Sequence, residues 1–372
     1  MADAHGALAA TQNPKATSPE AIVVGGGIIG LSVAWKLQSG GIKTVVFDPY
    51  PGLGASHAAA GMLAPVNEAY WGEHDVLRLH LAANQAWPEF AAILGANTVD
   101  YRRDGMLRVA FNSDDKAQLA HFSDLYRKEN LPVELLRSQQ CHELEPLLSP
   151  GVQSGIYSPL DHHVNPRLVV AELVKLVPII TKSVKHVTHN QIVTEDGQTM
   201  HCRQVVVAAG AWTGKLLNLP IRPVKGQIIR LKGKPGLLHR PVLGLVRGAK
   251  IYAIPRSDGE IVVGATQEEM GFDTRVTAGG VYELLRDMLA LCPGLSEMEL
   301  AETWAGLRPG SPDNAPIIGR GHDDIIFASG HFRNGVLTAP ITANCVTALI
   351  QEQDPPIDLT AFSPDRFMST PI

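Results

Sequence analysis

Apolar positions between residues 20 and 48 run unbroken, then fall at helical spacing, then run unbroken again. Ala21 to Val24 predicts a buried strand, Leu31 to Leu37 a helix closed by Gly40-Gly41, and Thr44 to Phe47 a second strand ending on Asp48. The unbroken strand pattern returns far down the chain in Gln204 to Ala208 and in Ile325 to Gly330, each ending in small residues. Helical spacing recurs at 74–94, 114–130, 138–146, Leu168 to Val177, 277–291 and 335–351. Alternation marks Gly105 to Phe111, and shorter strand-like pieces fall at Ile179-Ile180, Val184 to Val187 and Gln191 to Thr194. Antiparallel strands are expected at 221–233, 249–255 and 260–265, with a turn at Ser257-Asp258-Gly259.

The buried strands ending near residues 24, 208 and 328 are far apart in sequence, yet in a doubly wound sheet such ends converge on one crevice. This predicts an α/β fold whose crevice-forming domain is discontinuous, built from 20–85, 151–221 and 304–372. A second, α+β domain with an antiparallel sheet is expected from 86–150 and 222–303, and residues 1–19 read as a disordered tail. The length of 372 residues is consistent with two domains.

Composition narrows the function by exclusion. A net charge of −5, with no local Lys/Arg run, leaves no electrostatic footprint for nucleic acid or an anionic membrane surface. No apolar stretch approaches the ~18 residues of a membrane span, and the start lacks a signal-peptide pattern. Cys141, Cys202, Cys292 and Cys345 are widely spaced and read as reduced core thiols, which points to the cytoplasm. No metal site is expected, since His162-His163 has no carboxylate or thiol partner at suitable spacing.

The chemistry begins with Gly25, Gly27 and Gly30 in G-x-G-x-x-G spacing between strand and helix. Gly25 suits the tight turn, Gly27 lets main chain approach a pyrophosphate, and Gly30 lets helix and strand close on each other. The diphosphate would sit on the helix N-terminus, and Asp48 is placed to accept hydrogen bonds from a ribose. After it, residues 49–63 are small and nearly uncharged, as main chain lying against a flat or anionic group would be, and Ser56 is a candidate phosphate donor. The motif leaves NAD and FAD both open.

Ordered segments along the chain decide between them. Val-Val-Gly-Gly-Gly-Ile-Ile-Gly (23–30), Ala-Ala-Ala-Gly-Met-Leu (58–63), Pro-Val-Lys-Gly-Gln (223–227), Tyr-Ala-Ile-Pro-Arg (252–256), Val-Val-Gly-Ala-Thr (262–266), Trp-Ala-Gly-Leu-Arg-Pro-Gly (304–310) and Gly-His-Phe-Arg-Asn-Gly-Val (330–336) resemble the glycine/D-amino acid oxidase family of flavoproteins, and within it the branch serving thiamine thiazole synthesis. The resemblance implies a glutathione-reductase-type FAD-binding domain. FAD contacts are carried onto Ile28, Ile29, Asp48, Pro49, Ala55, Ser56, Ala60, Gly61, Met62 and Val184, and onto His331, Phe332, Arg333, Asn334, Gly335, Val336 and Leu337. The flavin is expected to be non-covalent, because Gly306-Leu307-Arg308, before Ser311-Pro312-Asp313, has no Cys where covalent relatives bear one.

The resemblance also implies Arg308 as the fork that binds a substrate carboxylate, Tyr252 as a phenol donor beside it, and Arg333 at both flavin and substrate. By residue pattern alone, Tyr252 is equally a strand aromatic and Met62 a core residue. The reaction implied is oxidative deamination of glycine, sarcosine or a small D-amino acid, by hydride transfer to flavin N5 without a side-chain base. Reoxidation by dioxygen would give hydrogen peroxide. Partners implied are the amino acid, dioxygen, a thiazole synthase receiving the imine, and further copies of the chain in a tetramer. Gln267 and Lys250 depart from a well-known relative and leave the substrate side chain open. A D-amino acid dehydrogenase with another electron acceptor, or a non-catalytic flavin-holding subunit, are the alternatives.

Overall fold

Ala21–Val24 is buried on both faces, as a strand without polar alternation must be, and it lies inside a six-stranded sheet. The computed structural model describes residues 18–246, 248–321 and 323–367, so residues 1–17 of the expected tail lie outside the described residues. The sheet runs Ile317–Arg320, Ile326–Ser329, Gln204–Val207, Ala21–Val24, Thr44–Phe47 and Ile179–Ile180. Its pairs are parallel except the first, and Val24 stands between Val207 and Phe47 in register.

Helices Ile28–Ser39 and Gly335–Ile350 pack together on one face of this sheet, with His74–Leu94 behind them. The other face is covered by a three-stranded sheet, Thr199–His201, Gln191–Thr194 and Val184–Thr188, through Val187 and Ile192. This three-layer arrangement is the mixed α/β fold expected from the unbroken strands. The first helix starts at Ile28 rather than Leu31, because Gly27 is already its N-cap. Pro340 lies in the second turn of the last helix. A proline there breaks the hydrogen-bond ladder, and Trp87 Nε1 supplies the nearby Leu337 carbonyl at 2.8 Å.

An eight-stranded sheet forms the second unit, in the order Glu299–Gly310, Arg222–Lys232, Glu260–Gly264, Ala249–Pro255, Val242–Val246, Met106–Ala110, Ser154–Ser158 and Glu134–Arg137. Glu299–Gly310 pairs with Arg222–Lys232 along its whole length. The expected limits at 151 and 304 are therefore corrected. Ser154–Ser158 belongs to this sheet, and residue 304 falls inside a continuous strand. Side-chain pattern hides that strand because it mixes Glu, Trp, Arg, Pro and Gly, while its pairing is made by main chain. Among the described residues, no helix is long and apolar enough to cross a membrane.

Candidate functional site

The carboxyl ends of Ala21–Val24, Gln204–Val207 and Ile326–Ser329 open onto one cavity between the two large sheets, lined there by Gly25, Gly27, Ala208 and Ser329. Gly25 has φ +114°, and a Cβ on it would fall 2.3 Å from the Ala208 carbonyl oxygen. A Cβ on Gly30 would fall 1.9 Å from the Gly25 oxygen, so helix and strand touch through glycine, as expected. The first helix has no side-chain cap at Gly27, but the Ile28 amide donates to Ser56 Oγ at 2.8 Å. That leaves the Ser56 hydroxyl hydrogen free to donate into the cavity. Asp48 accepts from the Gly26 amide at 2.6 Å and the Tyr50 amide at 2.7 Å, one on each oxygen. Its carboxylate thus holds the glycine turn as well as facing the cavity, a duty the motif alone did not show.

The last helix also starts at the cavity. Asn334, Gly335 and Val336 line it, and the helix carries no side-chain cap, so its first amides face the space with the positive end of the dipole. His331 turns its ring away. Nε2 sits 3.1 Å from Thr342 Oγ1, and burial lowers its pKa to about 3, which keeps it neutral.

The far end of the cavity is made of side chains. Arg308 donates from Nη1 to the carbonyls of Thr266 at 3.1 Å and Lys225 at 3.3 Å. Room for the guanidinium exists because residue 226 is glycine: a Cβ there would fall 2.3 Å from Arg308 Nη2. Burial pulls Arg308 below the ordinary guanidinium value, while the neighbouring Tyr252 acts to raise it. Burial likewise pushes the Tyr252 phenol up to about 12, so at neutral pH it is a proton donor. Its ring lies against Gly264, where a Cβ would fall 2.4 Å from the hydroxyl. Beneath Arg308, the buried Lys225 pairs with Glu268 at 3.4 Å, and Glu268 accepts from Thr266 Oγ1 at 2.6 Å and Gln227 Nε2 at 2.8 Å. Arg333 pairs with Glu68 at 3.3 Å and stands 5.1 Å from the Tyr70 ring centre.

Of the expected site residues, Gly25, Gly27, Ile28, Ile29, Asp48, Ala55, Ser56, Ala60, Gly61, Met62, His331 to Val336, Arg308 and Tyr252 all line this one cavity. Others lie off it. Gly30 is spent on packing, Leu337 is core, Pro49 is exposed, and Val184 belongs to the small sheet on the far face. Sequence reasoning missed Glu68, Tyr70, Gly226 and Gly306. Gly226 and Gly306 sat inside the quoted Pro-Val-Lys-Gly-Gln and Trp-Ala-Gly-Leu-Arg-Pro-Gly segments, whereas Glu68 and Tyr70 carried no local signal. Among the described residues, no group of three or more His, Cys, Asp or Glu is placed to hold a metal ion.

Comparison with known proteins agrees with this geometry. The bifunctional protein ThiO/ThiG of Trichormus variabilis is 32% identical over 93% of this chain, which spans only 55% of that relative. The glycine oxidase of Pseudomonas putida is 32% identical, covering 94% of this chain and 99% of the relative. The crystal structure of glycine oxidase from Geobacillus kaustophilus superposes with a TM-score of 0.86 at 28% identity, over 93% of this chain and 98% of that one. Residues 20–349 match the DAO family description, and with the glycine-lined strand ends opening on one cavity this chain belongs to the DAO family of FAD-dependent oxidoreductases.

Proposed function

We propose that the chain oxidises glycine, and with it sarcosine and small D-amino acids, to the imine. The observation that carries this reading is the Arg308 guanidinium, held at the cavity end through one nitrogen and set beside the Tyr252 phenol. A guanidinium fork with a neutral donor next to it suits one small carboxylate.

The residues at the other end fit FAD. The amides of Gly27 and Ile29 and the Ser56 hydroxyl would take the diphosphate, Asp48 the ribose, and the start of the last helix the charge that grows on the ring. Bound FAD supplies the hydride acceptor and the route for electrons to dioxygen. Every other part of the task falls to side chains. Arg308 and Tyr252 fix the carboxylate and so position the Cα–H. The cations Arg308 and Arg333 disfavour an ammonium nearby, which favours the neutral amine that oxidation needs. His331, neutral and tied to Thr342, takes no proton.

The fusion of ThiO to ThiG in relatives supports passage of the imine to a thiazole synthase. Self-association in the cytoplasm belongs to the same proposal, and light scattering reads it. The main test is purification, an absorption spectrum, and anaerobic addition of glycine, sarcosine and D-alanine. Bleaching of a yellow protein by at least one is expected. A colourless protein, or a yellow one bleached by none, overturns the reading.

A further inference from the structure

Gripping one carboxylate leaves part of the cavity's charge unused. Lys250 precedes Tyr252 by two positions on Ala249–Pro255, so both side chains leave the same face of the sheet. Their Cα atoms stand roughly 6–7 Å apart by strand geometry, and both residues line the cavity. Lys250 is exposed, at the outer end. Its Nζ donates to the Tyr70 hydroxyl at 2.6 Å and stands 4.6 Å from that ring's centre. That partner is a phenol, and among the described residues no carboxylate pairs with Lys250.

The other face of this wall is Arg333, which covers the same Tyr70 ring and has Glu68 as its ion-pair partner at 3.3 Å. Glu68 therefore pairs with Arg333, while among the described residues neither Arg308 nor Lys250 has a carboxylate at ion-pair distance. Two such cations lining one cavity, with the Tyr252 phenol beside both, are a match for two carboxylates on one small molecule.

We propose that Lys250 and the Tyr70 hydroxyl form a second anion subsite, so that the favoured substrates are small amino acids bearing a second carboxylate. The first carboxylate sits on Arg308 and Tyr252, and the second on Lys250. This deepens the oxidase reading and rests on it. The bond chemistry is unchanged, and the second acid contributes binding and register only. The second acid has two places of attachment, the amine nitrogen or Cα, and the experiment separates them.

Binding is read first, without turnover, by the change in flavin absorption when the FAD-loaded protein is titrated with malonate or acetate. Malonate is expected to bind about tenfold more tightly than acetate, Lys250→Glu to abolish that preference, and Lys250→Arg to keep it. Kinetics follow with glycine, iminodiacetate and D-aspartate. The kcat/KM ratio of a dicarboxylate to glycine is expected to fall about tenfold in Lys250→Ala, and whichever dicarboxylate shows this fall gives the attachment. A malonate-to-acetate ratio that is the same in wild type and Lys250→Glu overturns the subsite, even if glycine bleaches the flavin. Bleaching by no amino acid, with the malonate preference intact, overturns the oxidase reading and leaves the subsite standing as a binding site.

Discussion

Around Gly25, Gly61 and Gly306 the wall of the cavity is main chain, and around Arg308, Tyr252 and Arg333 it is side chains. At the first end a Cβ would fall 2.3 Å from a carbonyl at Gly25 and 2.0 Å from another at Gly61, so no side chain fits and the partner is met by amides. At the second end the glycines, 226 and 264, serve the side chains, giving space to the Arg308 guanidinium and the Tyr252 ring. Main chain offers shape and dipole with little scope for change by substitution. Side chains offer charge that one substitution removes. A protein built this way can keep its grip on one cofactor while its choice of substrate shifts.

The largest predicted effect attacks the first end. Gly30→Ala places a methyl 1.9 Å from the Gly25 carbonyl oxygen, which only main-chain movement can relieve. A loss of about 3 kcal/mol in stability is expected, together with loss of bound flavin. Thermal unfolding and the flavin-to-protein absorbance ratio check it, and a stable yellow variant would show that the glycine contact is slack. Arg308→Ala attacks the second end. The kcat/KM for glycine should fall by about 3 kcal/mol, or roughly a hundredfold, with flavin content retained. Arg308→Lys should recover little, because an ammonium has no fork. Loss of flavin in Arg308→Ala would mean that the two ends are not separable.

Tyr252→Phe removes one hydrogen bond and should cost about 1 kcal/mol in kcat/KM. Because the phenol's pKa is pushed up to about 12, no Tyr252 limb should appear in the pH profile below that range. The smallest effect concerns the support beneath Arg308. Burial acts to raise the Glu268 carboxyl, but hydrogen bonds from Thr266 and Gln227 and the Lys225 ammonium hold it below the ordinary value. A depressed carboxyl stabilises the fold above its unfolded pKa, and that contribution is lost as pH falls through its folded pKa. Glu268→Gln should therefore lower stability at pH 7, where the contribution is fully present, and flatten the acid limb of the stability profile below about pH 4. An unaltered acid limb would remove Glu268 from the support.

The first end was legible in the sequence for a physical reason. Its main-chain conformations demand glycine at fixed spacing, and strand, turn, helix and Asp48 are consecutive. Even there the pattern hid a duty, since Asp48 also accepts the Gly26 amide. The second end was legible only through family resemblance, which put Arg308 and Tyr252 at the substrate. Nothing local marked Glu68 or Tyr70, because their partners Arg333 and Lys250 come from distant parts of the chain, Lys250 being 180 positions away from Tyr70. Val184 and Pro49 were carried over by position and lie off the cavity. Glu299–Gly310 went unread as a strand, since its side chains alternate poorly and its order comes from eleven residues of register with Arg222–Lys232.

That strand ties the two ends mechanically. Gly306 lies against Ala58, at the glycine-walled end, and two positions later Arg308 lines the far end of the cavity. A rigid ruler of this kind transmits any slackness at one mark to the next. With FAD gone, the Ala58 segment loses its backing and the guanidinium its fixed bearing, so the empty protein should grip acetate more weakly than the loaded one, and filling the far seat first becomes the productive order of assembly.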